Sequence, residues 1–475
     1  MSLANRDLVT LDDFSNAEID GLFSIANVMN ESIEMQSSLC KNKIMASLFF
    51  EPSTRTRLSF ETAMHRLGGH VISAVDIGST SLAKGESIAD MARVLGSYAD
   101  IIVIRHPWEG AAKVVADYAD VPVINAGDGG HEHPTQTLCD LYTIKSERQS
   151  IEGLRIALCG DLKYGRTIHS LAYALARFGA NILFQSYPGL EIPDYVLRKL
   201  IKNYNGTIKM SEDLKQETPK GVFPLNSIYI TPGSPHQLAM MPDVNIQIET
   251  EANVDALYVT RLQKERYSSN FKKREEENNY PVVNKKLLRG KKFKQTLVMH
   301  PLPRVDELAY EVDADPRSMY FKQAAFGVPV RMALISLLLG SSDITETKDI
   351  SILSKPKQMI YKKDSGLKCH NPLCVSNQDT EIKYIKPEFK IISIAPLRLS
   401  CIYCEHENNP LYIASSKWHE GGLKYKKYHS ANSHWIKRIK PENLILFESA
   451  ISAQSQGFEP SNYVSTSHSV LNNNK

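Results

Sequence analysis

Residues 47–61, SLFFEPSTRTRLSFE, decide how this chain is read. The apolar run 44–50 has the length of a buried strand, and Leu58, Phe60, Met64 and Leu67 then recur at helical spacing until Gly68 and Gly69 close the pattern. Ser53, Thr54, Arg55, Thr56 and Arg57 lie between strand and helix and therefore fall on the helix's first turn. Unpaired amides and the positive end of the helix dipole point there. Hydroxyls and guanidinia added to that turn suit it to a phosphate dianion. The alternative is an N-cap with surface arginines, but a cation at a helix start opposes the dipole by roughly 0.3–1 kcal/mol.

Outward from this stretch the strand–turn–helix pattern repeats. Residues 71–75 read as a second strand, followed by a polar loop, 78–86, from which Ser81 and Lys84 can reach outward. A helix over 88–98 leads to a buried strand, 101–104, that ends on Arg105, a position where open α/β sheets place their ligands. A strand at 123–125 runs into Gly127-Asp128-Gly129-Gly130-His131-Glu132-His133-Pro134-Thr135-Gln136, a turn entering a helix. His133 and Gln136 are read as hydrogen-bonding groups facing a small ligand, because no third protein ligand lies close enough in sequence for a metal site. Strand 155–159 ends at Gly160-Asp161, with Arg166 opening the next helix, but the full dinucleotide-binding glycine pattern is missing. Further strands are expected near 182–185, 228–230, 256–260 and 296–299. The last runs into His300-Pro301-Leu302-Pro303-Arg304, where two prolines predict an extended backbone with free carbonyls. An apolar helix over 324–339 closes the region; Thr10 and Asp12-Asp13 are expected caps at the beginning. The charged run 267–280 reads as a mobile solvated loop.

With 475 residues the chain is too long for one ordinary core. Its 42% apolar content is globular, and a net charge of +3 argues against nucleic acid or membrane as a partner of the whole molecule. The N-terminus carries Arg6 and Asp7 where a signal peptide needs an apolar core, and no uninterrupted apolar run reaches membrane-spanning length. A cytoplasmic protein is expected. Cys40, Cys139 and Cys159 are scattered in apolar surroundings, as reduced buried thiols would be. Cys369 and Cys374 face Cys401 and Cys404 across a strand-rich segment, a spacing that fits structural, tetrahedral zinc. Four thiolates would leave no open coordination position, so this module is expected to stand apart from any chemistry. Residues 413–440 hold seven Lys or Arg against Glu420, interleaved with Trp418, Tyr425, Tyr428 and Trp435. That composition can bind single-stranded nucleic acid, but a solvated face packing its aromatics on a neighbour explains it more simply. Residues 455–475 are expected to form a disordered tail.

Taken together, Ser53-Thr54-Arg55-Thr56-Arg57, His133-Pro134-Thr135-Gln136, Gly160-Asp161 to Arg166, Thr260-Arg261-Leu262-Gln263 and His300-Pro301-Leu302-Pro303 resemble the catalytic chain of aspartate carbamoyltransferase over residues 1–340. The related ornithine enzyme resembles His-Cys-Leu-Pro at the last motif, where Pro301 stands here. The resemblance implies two doubly wound parallel-sheet α/β domains plus a small β-rich C-terminal zinc domain. Its implied limits are 1–135 for carbamoyl phosphate, with a closing helix near 318–340, 136–317 for aspartate, 341–368 as linker, 369–412 for zinc and 413–475 as extension and tail. It further implies that Ser53, Thr54, Arg55, Thr56, Arg105, His133, Gln136 and the carbonyls of Pro301, Leu302 and Pro303 surround carbamoyl phosphate. Arg166, Arg261, Gln263 and Lys84 would hold L-aspartate. Arg55, Thr56, Lys84, Arg105 and His133 would carry the catalysis without a cofactor. Ser81 and Lys84 would come from a neighbouring subunit, making a homotrimer or higher assembly with shared sites. The cysteine spacing resembles the zinc domain of that enzyme's regulatory chain, fused here, but residues 341–368 are too short for the nucleotide-binding domain, so inhibition by CTP is not expected. A different class, a non-catalytic zinc-bearing or nucleic-acid-binding protein on this fold, is disfavoured because each recognised catalytic position carries a competent residue.

Overall fold

The opening stretch folds as its pattern requires: β1 (Ile44–Phe49) is buried along nearly its whole length and α2 (Thr54–Arg66) starts one residue after Ser53. The computed structural model describes residues 2–32, 36–76, 78, 80–186, 190–204, 206–211, 216–218, 221–223, 227–232, 253–263, 282–344, 359–363, 366–416 and 426–461. The chain divides into two units, Met1–Thr80, Ala92–Pro107 and Val115–Ile350 in the first, and Ser81–Met91, Trp108–Val114 and Ser351–Lys475 in the second. The loop expected at 267–280 lies outside the described residues, as do Trp418 and Tyr425.

In the first unit, α1 (Asn16–Glu31) is capped by Ser15 and Glu18; Thr10 and Asp13 cap only a short 3-10 turn before it. β1 is flanked by β2 (His70–Val75) and β3 (Ile101–His106), and β4 (Val123–Asp128) completes a parallel sheet of order β2-β1-β3-β4. Helices α3 (Ile88–Gly96) and α4 (Ala111–Tyr118) connect its later strands. Parallel strands joined by helical crossovers bury their central members, which is why 101–104 is a continuous apolar run. Helix α5 (Pro134–Arg148) leads to the second sheet, so the expected domain limit at 135/136 falls inside one continuous helix.

That second sheet contains β5 (Arg155–Gly160), β6 (Asn181–Ser186), β7 (Gly206–Ser211), β10 (Ser227–Pro232), β11 (Ala256–Val259) and β12 (Leu297–Met299), with β8 (Gln216–Thr218) and β9 (Gly221–Phe223) forming a separate hairpin. Its order is β12-β11-β5-β6-β10-β7. Strands β12, β11, β5 and β6 are parallel, whereas β10 runs antiparallel to both neighbours. The doubly wound parallel sheet thus carries one antiparallel strand, β10, next to its edge. Helices α6 (Arg166–Arg177) and α7 (Asp194–Tyr204) accompany β5 and β6, and α8 (Lys285–Leu288) precedes β12. The closing helix α9 (Tyr320–Leu338) is long and apolar enough by composition to cross a membrane, although Lys322 and Arg331 interrupt its apolar run. Most of it is buried, however, and Val330, Leu334, Ile335, Leu337 and Leu338 share one core with α1 and α5 residues. A helix apolar on all sides is as much the signature of a core helix as of a span.

In the second unit, β13 (Ile360–Tyr361), β14 (Phe389–Ile394), β15 (Leu397–Cys401) and β16 (Glu407–Asn408) form an antiparallel sheet. Because β13 belongs to it, the module begins before residue 369, inside the expected linker. A second sheet joins β17 (Tyr412–Ser415), β18 (Lys427–Ser430), β19 (Leu444–Phe447) and β20 (Glu459–Pro460), with α10 (Ala450–Ser455) beside it. Ala414, Tyr428, Phe447, Ala453 and Phe458 form its small core. Residues 413–416 and 426–461 thus belong to a folded element, not an extension, and the expected boundary at 412/413 cuts through β17. The alternation Leu444, Leu446 against Ile445 was a legible strand signal that the basic composition obscured. Residues 462–475 of the expected tail lie outside the described residues.

Candidate active site and metal centre

Ser53 adopts extended backbone before α2 and its hydroxyl makes no capping bond, so it stays available beside the first-turn amides. Thr56 is buried, whereas Thr54 and Arg55 are exposed, and partial burial lowers the pKa of the Arg55 guanidinium from its ordinary value. The charge of Arg55 also helps to depress His300, which places the first turn of α2 close to the chain after β12.

Arg105 at the end of β3, His133 at the N-cap of α5 and Arg166 at the start of α6 meet around Gly127. A Cβ on Gly127 would lie 3.5 Å from Arg105 Nη1, 3.5 Å from His133 Cδ2 and 3.6 Å from Arg166 Cζ, and its φ of +119° is open only to glycine. Three side chains far apart in sequence therefore converge beyond the carboxyl ends of parallel strands, where such sheets form their ligand crevice. His133 is buried; burial first, then the charges of Arg105, Arg166 and Arg331, push its pKa well below the ordinary value. The imidazole is neutral at physiological pH, and its buried Nδ1 has no hydrogen-bond partner.

The sequence reading missed Glu51. Its Oε2 accepts from Arg105 Nε at 3.1 Å and from Arg166 Nη1 and Nη2 at 3.3 Å, while Arg166 also donates to the Gly129 carbonyl. An acidic residue at the end of a buried strand, between Phe50 and Pro52, was the available signal. Gln136 donates through Nε2 to Asp140 Oδ1 at 2.8 Å, which leaves its amide oxygen as the end free to accept. Asp140, also missed, takes two further donors, Gln323 Nε2 at 2.6 Å and Tyr258 Oη at 2.9 Å.

The His300–Pro303 segment is turned, not extended as the prolines suggested. The Leu302 amide donates to His300 Nδ1 at 2.8 Å, and Leu302 sits at φ 50°, a strained conformation for a branched side chain. His300 Nε2 in turn donates to Glu307 Oε1 at 2.8 Å, which sets the tautomer. On the other flank, Asp161 Oδ1 accepts from the Tyr164 amide at 3.0 Å and Oδ2 from the Gln263 amide at 3.0 Å. The loop bearing Arg261 and Gln263 is thereby fastened to the loop that leads to Arg166. Ser81 and Lys84, by contrast, belong to the second unit, on an exposed turn closed by a bond from Ser81 to Glu86.

The four grouped cysteines do converge. Their sulfurs all lie within 4.8 Å of one another, with Cys369 to Cys404 at 3.5 Å and Cys374 to Cys401 at 3.7 Å, and all four are buried. Tetrahedral Zn–S bonds of about 2.3 Å require S···S separations of about 3.8 Å, so the donor set fits a four-coordinate thiolate metal. Within the cluster the protons are shared unevenly: hydrogen bonds from Cys369, Cys401 and Cys404 pull the Cys374 thiol down, while Cys369 and Cys374 push Cys401 and Cys404 up. Cys139 is buried and Cys159 partly so, and desolvation raises both thiols, as inert core thiols should be.

Residues 6–146 match the aspartate/ornithine carbamoyltransferase carbamoyl-P binding domain and residues 234–338 the Asp/Orn binding domain of the same family. The aspartate carbamoyltransferase catalytic subunit of Thermoplasma acidophilum is 46% identical over 340 residues, covering 71% of this chain and 99% of that protein. This chain belongs to the aspartate carbamoyltransferase family. Residues 363–410 match the metal binding domain of the aspartate carbamoyltransferase regulatory chain, so both kinds of module are joined in one polypeptide. Among solved aspartate carbamoyltransferases, the M. jannaschii catalytic subunit is 42% identical, with 70% of this chain and 98% of that chain covered at a TM-score of 0.55. The Trypanosoma cruzi enzyme in complex with carbamoyl phosphate and aspartate is 35% identical, with 71% and 98% covered at a TM-score of 0.57.

Proposed function

We propose that this chain transfers the carbamoyl group of carbamoyl phosphate to the amine of L-aspartate, giving N-carbamoyl-L-aspartate and phosphate for de novo pyrimidine synthesis. The observation that carries the reading is the convergence of Arg105, His133 and Arg166 around Gly127, at the strand ends of a chain whose relatives bear that name. Ser53, Thr54, Arg55 and Thr56 take the phosphate on the first turn of α2, where amides and dipole favour an anion. Thr56, Arg105 and neutral His133 donate to the carbamoyl oxygen; one such donor is typically worth about 2.7–4 kcal/mol in the transition state. Gln136, with its nitrogen committed to Asp140, presents its oxygen to the carbamoyl NH2, as do the carbonyls around Leu302 and Pro303. Arg166, Arg261, Gln263 and Lys84 hold the aspartate carboxylates. The amine forms its C–N bond as the C–O bond to phosphate breaks, and holding both reactants in register supplies much of the rate.

Zinc is the metal that the four buried thiols favour, bound for structure and not for turnover. A homotrimer with shared sites is supported by the exposed apolar residues Leu58, Ile72 and Val75, the last two on edge strand β2 just before the Lys84 loop. Uncovered apolar side chains on a sheet edge call for a partner. A reducing, cytoplasmic setting agrees with seven free thiols. The test is carbamoyl-product formation from carbamoyl phosphate with aspartate and, separately, ornithine. Turnover with aspartate is expected; turnover with ornithine alone would reject the assignment.

A further inference from the structure

The loop carrying Lys84 ends at Ser87, and the first turn of α3 that follows is held from two directions. Locally, Ser87 Oγ accepts from the Asp90 amide at 3.0 Å. The Ile88 amide, which its own helix cannot satisfy, donates to Glu381 Oε1 at 2.8 Å. Glu381 lies in the cysteine module and is fully buried. A short way along the same turn, Tyr384 Oη donates to Asp90 Oδ2 at 2.8 Å. One turn of the module therefore grips two positions in the first turn of α3.

That gripping turn is itself fastened to the metal loop. The Glu381 amide donates to the Gln378 carbonyl at 2.9 Å, Gln378 Nε2 donates to the Cys374 carbonyl at 3.2 Å, and Asn377 Nδ2 donates to the Cys369 carbonyl at 2.8 Å. A continuous set of hydrogen bonds runs from two metal-site cysteines to the base of the Lys84 loop, all inside the second unit. Burying an acidic side chain is costly without compensating partners; Glu381 Oε1 takes the positive end of α3 and the Thr380 hydroxyl, which donates at 3.1 Å. The loop itself has little else to order it. Ser81, Ala83, Lys84 and Gly85 are exposed, and its described backbone closures are the Gly85 and Glu86 amides to Leu82 and Ser81 carbonyls at 3.0 and 3.3 Å.

We propose that Glu381 is a positioning residue for Lys84: the metal module fixes the first turn of α3 and with it the point from which the Lys84 loop departs. The inference rests on the reading of Lys84 as a substrate-contacting residue. It also revises the expectation that the cysteine module stands apart from the chemistry.

The experiment uses full-length protein carrying Glu381→Ala, Glu381→Gln, Lys84→Ala, the Glu381→Ala/Lys84→Ala double change, or Tyr384→Phe, with metal content measured throughout. Glu381→Ala is expected to speed hydrogen exchange in residues 81–90 about tenfold and to lower kcat/KM for aspartate by a similar factor. Glu381→Gln keeps an acceptor oxygen and should stay within about twofold of the parent in both measurements. In the Lys84→Ala background the loss of Glu381 should cost no further activity, because both changes act through one side chain. Parental exchange and kinetics in a metal-replete Glu381→Ala protein, or additive losses in the double variant, would overturn the proposal. If Lys84→Ala is itself fully active, the reading of Lys84 fails, and the exchange data still decide whether Glu381 orders the loop. Should Glu381→Ala lose its metal, Tyr384→Phe replaces it, since that side chain is partly exposed. Faster exchange over 81–90 and a raised KM with metal retained support the proposal; no change in either rejects it.

Discussion

His133 shows how a residue legible in the sequence acquires its chemistry from neighbours that were not. Its place in the turn before Pro134 marked it as a hydrogen-bonding group facing a small ligand, but only burial and the converging charges of Arg105, Arg166 and Arg331 hold it neutral. A neutral imidazole keeps one N–H to donate and does not titrate in the physiological range. His133→Ala is therefore expected to lower kcat by about 10²–10³, the usual loss for one oxyanion-type donor. The shape of the pH–rate profile between about pH 6 and 8 should stay unchanged. A limb near pH 6.5 that vanishes in the variant would show that His133 titrates after all. Gly160 is a second residue whose role is purely spatial. At φ +117° it lets the end of β5 pass the Thr260 carbonyl, into which any Cβ would run. Gly160→Ala should cost about 2 kcal/mol or more in urea unfolding and weaken aspartate binding, because Arg261 and Gln263 follow Thr260 directly.

Among the elements, α5 is the hinge of the design, and Asp140 on it gathers three others. It accepts from Gln136 on its own helix, from Gln323 on α9 and from Tyr258 on β11. Gln323 Oε1 in turn accepts from the His300 amide at 3.1 Å, so the same carboxyl braces the turn after β12. Burial pushes Asp140 up from 3.8 to about 7, against the pull of its three donors. The folded state thus binds a proton that the unfolded chain releases near pH 4, and the associated stability, full at low pH, is lost as pH rises through about 7. Asp140→Asn lacks this dependence. Its destabilisation relative to the parent should be about 1–3 kcal/mol near pH 5 and shrink towards pH 8, measured by denaturant melts across that range. A gap that stays constant from about pH 5 to 8 would mean that Asp140 is already ionised in the fold. No sequence pattern announced this network, since a lone Asp on an apolar helix reads equally well as a cap or a surface residue.

For the whole molecule, the shared-site reading makes its own prediction. Arg55→Ala and Lys84→Ala proteins, each keeping only residual activity alone, should regain part of the parental activity when mixed under conditions of subunit exchange, because a hybrid trimer assembles some sites from one chain's Arg55 and another's Lys84. With random exchange of two equally abundant chains, recovery on the order of a quarter of the parental rate is expected for paired residues from two subunits. Absence of recovery despite exchange shown by mass measurement of the hybrids would mean that each chain completes its own site. The same experiment bears on the joined architecture, because Lys84 travels with the metal module in the second unit.

The linear sequence by itself determined the alternation of buried strands and amphipathic helices, the placing of Ser53–Thr56 at a helix start and the grouping of Cys369 and Cys374 with Cys401 and Cys404. These depend on periodicity and short spacing, which survive in one dimension. Only the tertiary structure decided that Glu51 bridges Arg105 and Arg166, that β10 runs against its neighbours, that strands β17 to β20 join in a sheet, and that Glu381 caps a helix 293 residues earlier. Each of those is a contact between segments remote in the chain. Its energy comes from pairing a buried polar group or covering an apolar face, and neither requirement leaves a local pattern by which its partner can be found.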